Sequence, residues 1–253
     1  MLTQYRLYLE LDRDCIPKPE WGYKLYSALL EKSPVDFGEQ AHIDGVTPVS
    51  QFFFSERVDQ AIWIVTLLGN QAEEKLIETL ETLETLHLNK DRITLAVQKR
   101  HRMQIDDADE LLSLAKQHNG FHPLQFRTPT AFKSRGQYLN LPTPRLIVQS
   151  LIKKWNGCIL ECPIDDENNE GMEALAAGLR FRAFQIQNQM YYLKGSSIPG
   201  FSGTILMENR LSGFHRQLLD ALLLFAGYSG IGIKTTLGMG GVVVKTTKNG
   251  DED

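Results

Sequence analysis

Twice along its 253 residues the chain runs through the same succession of hydrophobic patterns: strand, helix, strand, strand, helix, strand. That order constrains the fold more than any single motif. It is the split β-α-β arrangement, in which two helices cover one face of a four-stranded antiparallel sheet. In the first pass, residues 2–11 alternate apolar and polar side chains, as a half-buried strand does. Pro17 and Pro19 break the strand. Residues 21–32 then place Leu25, Ala28 and Leu29 on one helical face, and Ser33-Pro34 stops the helix. Residues 35–49 read as loop. Residues 51–55 and 61–68 read as strands joined by the charged turn 56–60. Residues 71–86 carry Leu76, Leu80, Leu83 and Leu86 near helical spacing, and a strand over 92–98 completes the set. A short helix is expected over 106–116.

The second pass begins with a strand at 124–128 and a basic loop at 130–140. A helix over 142–155 has proline near its first turn. A polar stretch at 165–173, with a little helix after it, leads to strands at 181–193 and 203–208. An apolar helix over 211–227 precedes a last strand from Val242. The turn signals Asn119-Gly120 and His122-Pro123 mark a boundary. The expected fold is therefore α+β, two tandem ferredoxin-like domains spanning residues 1–120 and 121–253. Their sheet faces, and the cleft between them, would lie within reach of an extended ligand.

Composition narrows the class. At 42% hydrophobic and 23% charged, the chain can bury a core. A net charge of −4 excludes a global basic field, so nucleic acid would have to be met by local patches at residues 99–102, Lys133/Arg135 and Lys153-Lys154. Three cysteines are too few for a disulfide framework. Cys158 and Cys162 are spaced as one arm of a zinc site without a second arm, so no metal is expected. No secretory pattern or membrane-length apolar run is evident, which points to a cytoplasmic protein without a membrane partner.

The stretch from Ala226 to Val244 holds six glycines and one lysine, Lys234, between the last helix and a β-branched strand. Glycine admits positive φ and close backbone approach. Successive amides in such a turn can hold an anion, and a lysine adds a mobile point charge. The spacing is not that of a P-loop, because Lys234 precedes the second glycine cluster and the loop enters a strand rather than a helix. Nor does a strand–turn–helix context mark a dinucleotide site. Taken as residues alone, the stretch fits a tight helix–strand connection as well as a phosphate cradle.

In this context Gly230-Ile-Gly-Ile-Lys-Thr-Thr-Leu-Gly-Met-Gly240 resembles the C-terminal glycine-rich loop of the RAMP proteins of CRISPR systems. Within them it looks like the family of endoribonucleases that cut CRISPR precursor transcripts inside each repeat. Three further stretches follow the same family's order. They are Tyr23-Lys-Leu-Tyr26 with Ala41-His42 and Phe52-Phe-Phe-Ser55, then Phe126–Lys133 with Pro142-x-Pro144, and Gly200-Phe-Ser-Gly203. The resemblance spans nearly the whole chain.

It implies RNA cleavage by the ribose 2′-hydroxyl, without a cofactor, leaving a 2′,3′-cyclic phosphate and a 5′-hydroxyl. Such chemistry needs a base, an acid and donors for the charged phosphorane. The resemblance places His42 as the acid or base and Tyr26 as an active-site tyrosine, with Tyr23 competing for that role. It departs from some members in having no Lys or Arg from Ile43 to Ser55. Lys24, Lys32, Arg57, Lys133 and Lys234 are the candidates to replace that cation. RNA contact is expected at Gly230, Gly232, Gly238, Gly240 and Lys234, then at Lys133 and Arg135, which stand beside Phe132 and Tyr138. Arg180 and Arg182 would extend this surface, and Arg100 and Arg102 would reach the repeat's stem. Among the other histidines, His101 reads as a contact or solvated residue, His122 as turn chemistry and His215 as a satisfied structural residue of the last helix. The implied partner is CRISPR repeat RNA, with an effector complex and a homodimer left open. Two rival readings stand beside this one: a non-catalytic RNA-binding subunit of an effector complex, and a tandem ferredoxin-like protein that binds another ligand.

Overall fold

The computed structural model describes residues 1–11, 15–34, 48–57, 59–88 and 93–245. The first half runs β1 (Leu2–Glu10), α1 (Trp21–Lys32), β2 (Val49–Arg57), β3 (Gln60–Leu68), α2 (Asn70–Thr82), β4 (Thr85–Leu88) and β5 (Ile93–Ile105). Its antiparallel sheet has the order β2-β3-β1-β5-β4. Without the short β4, this is the ferredoxin-like order. Tyr5, Leu7 and Leu9 of β1 share one core with Leu25 and Leu29 of α1 and with Leu76 and Leu80 of α2.

Two elements differ from the sequence reading. The second helix stops at Thr82, where Leu83 is already extended, and Leu86 sits in a strand. Leu86 and Leu88 alternate with exposed or half-buried neighbours, so Leu86, helically spaced after Leu83, satisfies a period of two as well. β5 continues to Ile105, which puts the basic run inside a strand rather than at its end. Successive residues therefore take opposite faces. Arg100 and Arg102 stand opposite Leu7 and Tyr5 on the helix side, while Lys99 and His101 stand opposite Tyr8 and Arg6 on the other.

A helix α3 (Ala108–Lys116) follows, capped by the Asp107 carboxylate accepting from the Glu110 amide. Its buried face, Ala108, Leu111 and Ala115, belongs to the core beneath the second sheet. The second half then runs β6 (Phe121–Thr130), β7 (Phe132–Ser134), β8 (Gln137–Leu139), α4 (Pro144–Cys158), α5 (Glu170–Gly178), β9 (Leu179–Leu193), β10 (Ser196–Asn209), α6 (Gly213–Ser229), a 3₁₀ turn (Thr235–Leu237) and β11 (Val242–Val244). The sheet order β11-β6-β10-β9 is again ferredoxin-like.

The basic loop expected at 130–140 is partly a hairpin, β7–β8, whose turn residues Arg135 and Gly136 have φ of 47° and 82°. β9 matches its expected span to within two residues, whereas β10 starts seven residues earlier than expected, so the two meet at Lys194 and Gly195, with φ of 48° and 81°. Both pairs have the positive φ at two central residues that a type I′ turn requires, which matches the twist of the flanking strands. Among the described residues no helix is long and apolar enough to cross a membrane.

Candidate active site

The glycine-rich loop turns back on itself between α6 and β11. A Cβ on Gly240 (φ 68°) would lie 2.0 Å from the Ile231 carbonyl oxygen, and one on Gly232 (φ 83°) would lie 2.3 Å from that of Ala131. Only glycine fits either place. Gly230 and Gly238 also have positive φ. The loop amides are largely spent inside the protein. Ile231 N donates to Gly240 O (2.9 Å), Ile233 N to Ala131 O (2.9 Å) and Gly240 N to Pro129 O (3.0 Å). Gly232 N donates to Ser150 Oγ (2.8 Å). The glycines thus give the loop its shape. The group turned outward is Lys234, exposed and itself in the left-handed region at φ 56°. For a residue with a Cβ that conformation costs about 1–2 kcal/mol, so the fold imposes it.

The loop is also tied to the first half. Gln51 Nε2 donates to Thr236 O (2.9 Å), and Thr236 Oγ1 donates to Val49 O (2.9 Å). Trp63 Nε1 donates to Gln51 Oε1 at 2.8 Å and fixes that amide. From below, Lys154 of α4 donates to Ser229 O (2.9 Å), Gly230 O (3.2 Å) and Thr235 Oγ1 (2.9 Å). Burial pulls the pKa of this ammonium down to about 7, and the neighbouring Cys158 thiol is itself pushed up to about 11 by burial.

Between the halves lies a cavity of about 830 Å³. α1 contributes Tyr26 and the hairpin contributes Lys133 and Arg135. α4 brings Lys153 and Lys154, and the loop brings Lys234. Tyr26 is buried, and its hydroxyl has no hydrogen-bond partner among the described residues. Burial pushes its pKa up to about 12. It therefore keeps its proton at neutral pH and can donate a hydrogen bond. Tyr23, the competing tyrosine, turns away, its ring under the Lys194 ammonium at 5.3 Å. His42 lies outside the described residues. Lys24, Lys32 and Arg57 do not line the cavity. Lys153 and Lys154 do, although the sequence shows them only as a local basic pair.

The remaining candidates lie elsewhere. Arg100 donates to Leu83 O, Arg102 pairs with Glu81 at 3.5 Å and Arg182 with Glu208 at 3.6 Å. His101 meets Tyr8 edge-on on the sheet face opposite the helices. His215, expected to be a satisfied structural residue, is exposed at the start of α6, edge-on to the ring of Phe214. His122 is not turn chemistry. It sits in β6, fully buried, with Nε2 2.6 Å from Asp220 Oδ1.

Among the described residues, His118, His122 and Asp220 form one group of three potential metal ligands, with their ligating atoms within 4.8 Å of one another. The two imidazoles are stacked, 3.9 Å apart and 10° from parallel. Their in-plane lone pairs run side by side rather than converge on one point. Asp220 Oδ1 already accepts from Asn209 at 2.8 Å besides meeting His122. As arranged, this is a hydrogen-bonded core network rather than a ligand set.

The described residues thus form two ferredoxin-like units in tandem, with a glycine-rich loop ahead of the last strand. The sequence profile of CRISPR-associated endoribonuclease Cas6 matches residues 124–242. The chain is 27% identical over 235 residues to the CRISPR-associated endoribonuclease Cas6 of Streptococcus thermophilus, covering 92% of this chain and 95% of that one. It is 28% identical over 229 residues to the protein of the same name from Mycobacterium tuberculosis, covering 88% and 71%. In fold it resembles a Cas6 product complex with a TM-score of 0.76 at 23% identity, over 97% of this chain and 99% of that one. It also resembles Thermus thermophilus Cas6 with a TM-score of 0.69 at 21% identity, over 97% and 98%. In sequence the chain is thus similar to the Cas6 endoribonucleases over nearly its whole length, and it shares their fold.

Proposed function

We propose that the protein binds CRISPR repeat RNA and cuts precursor transcripts into guide RNAs, as a metal-independent endoribonuclease leaving 2′,3′-cyclic phosphate and 5′-hydroxyl ends. The observation that carries this reading is the cavity. A proton-bearing tyrosine on α1 faces the glycine-rich loop across a hollow rimmed by Lys133, Arg135, Lys153 and Lys234. The relatives' name, endoribonuclease, and the solved product complex support the substrate class.

In this reaction the ribose 2′-oxygen attacks the adjacent phosphorus. A base takes the 2′ proton as the new O–P bond forms. An acid gives a proton to the 5′-oxygen as the old bond breaks, so no net proton is consumed. We assign one of these transfers to His42, since an imidazole ordinarily titrates near neutrality. Tyr26, with its proton retained, donates a hydrogen bond to the reacting phosphate or leaving oxygen. The cations on the rim, Lys133, Arg135, Lys153 and Lys234, stabilise the phosphorane and stand in for the cation that the segment from Ile43 to Ser55 lacks. Lys234, held outward by Gly230, Gly232, Gly238 and Gly240, contacts the RNA backbone, and Lys133 and Arg135 extend that contact. Binding rests on these few localised cations, and salt weakens it in proportion to the phosphates they neutralise.

The test is cleavage of repeat RNA in EDTA. The expected outcome is specific product, reduced by about 10²-fold or more in His42→Ala with binding retained. No product in EDTA, or undiminished cleavage by the variant, overturns the catalytic assignment. Tight, salt-sensitive binding without product would instead identify a non-catalytic RNA-binding subunit.

A further inference from the structure

We propose that Lys154 is a positioning residue of the glycine-rich loop, fixing the angle at which the loop leaves α6 and hence the direction in which Lys234 is presented to RNA; this rests on the reading of the loop as an RNA contact. Its three acceptors straddle the loop's entry. Ser229 O and Gly230 O belong to the end of α6 and the first glycine, whereas Thr235 Oγ1 opens the 3₁₀ turn that follows Lys234. One nitrogen thus gathers both sides of the segment that carries Lys234.

The two sides are close enough to need such a tie. A Cβ on Gly230 would come within 2.9 Å of Thr235 Cγ2. The Gly230 carbonyl receives a second bond, from Ser229 Oγ at 2.9 Å, so the first glycine is held from two directions.

Lysine suits this task as no other residue does. It offers three donors on a single atom, which can converge on three acceptors around one point. Arginine spreads its donors over a planar fork and reaches such a point with only part of them. The proposal therefore separates from a purely electrostatic one. If Lys154 only added positive charge to the cavity beside Lys133, Arg135, Lys153 and Lys234, arginine would serve as well. If it acts by geometry, arginine fails almost as methionine does.

The experiment compares wild type, Lys154→Met, Lys154→Arg and Thr235→Val in steady-state cleavage of repeat RNA and in hydrogen exchange of the loop amides. Both Lys154 variants are expected to raise KM about 10-fold or more, with kcat at saturating RNA within about 2-fold of wild type. Exchange over residues 230–240 should quicken while the sheets stay protected. Thr235→Val, which removes one acceptor and keeps the shape, should raise KM about 3-fold; it carries the test if a Lys154 variant does not fold. Wild-type KM in Lys154→Arg, or unchanged loop exchange in Lys154→Met or Thr235→Val, overturns the proposal. If wild-type protein neither binds nor cuts repeat RNA, the functional reading fails, while the exchange measurement still decides whether Lys154 holds the loop.

Discussion

Beneath the glycine-rich loop, one lysine meets three oxygen acceptors. Between β6, β10 and α6, one aspartate meets His122, Asn209 and Arg216. Both clusters bring a charge-bearing group into the interior of the same half of the chain, and they solve its burial differently. Lys154 reaches oxygens of the loop, beside an open cavity. Asp220 collects side chains only, and the network leaves His122 Nδ1 and Asp220 Oδ2 without a hydrogen bond among the described residues. None of its residues lines the cavity. A cluster closed within the core acts on stability, and one that borders a hollow acts on what the hollow binds.

The largest effect should come from the closed cluster. Asp220→Ala strips His122 and Asn209 of a shared buried acceptor, and the expected loss is about 3–5 kcal/mol in urea unfolding. RNA affinity per folded molecule should survive. A loss under about 1 kcal/mol would show that the network is dispensable.

Tyr26→Phe should show the opposite pattern. The hydroxyl has no partner among the described residues, so unfolding free energy should stay within about 0.5 kcal/mol. Single-turnover cleavage should slow by about 10²-fold. An unchanged rate would reduce that wall of the cavity to packing.

The smallest effect is a pH response of the closed cluster. Burial, and then the neighbouring His122, hold the pKa of His118 below its ordinary 6.5. The unfolded chain takes up this proton first as pH falls. The stability linked to neutral His118 is therefore present above pH 6.5 and is lost as pH drops through the lower folded value. Melting curves between about pH 7 and 5 should fall less steeply in His118→Gln than in wild type. Parallel curves would remove His118 from the acid response.

The tandem order of elements was legible because each long helix and strand repeats its own period over many residues. Its interruptions were not. Arg135-Gly136 and Lys194-Gly195 lack the Asn-Gly or Asp-Gly spelling that announces a two-residue hairpin turn. Leu86 fits two periods at once, helical after Leu83 and strand-like with Leu88, and only the pairing of β4 with β5 separates them. In the site, Tyr23 and Tyr26 lie one helical turn apart and are indistinguishable until the β9–β10 turn takes one of them. Lys154 and its acceptors are 75 to 81 residues apart, so no local pattern could join them. Gln51 left a faint sign, a fully buried amide at the head of an aromatic run, but its partner lies 185 residues away.

That last bond bears on how the chain can be divided. Every residue of the profile match lies between 124 and 242, yet the loop inside it hangs from Gln51 and Val49. A fragment starting at residue 121 would contain the whole matched stretch and none of the atoms that hold the loop's 3₁₀ turn to the first sheet. The halves are not interchangeable cassettes. Grafting the second half of one relative onto the first half of another would keep the loop's shape only if an amide and a carbonyl came with it, on a strand the graft leaves behind.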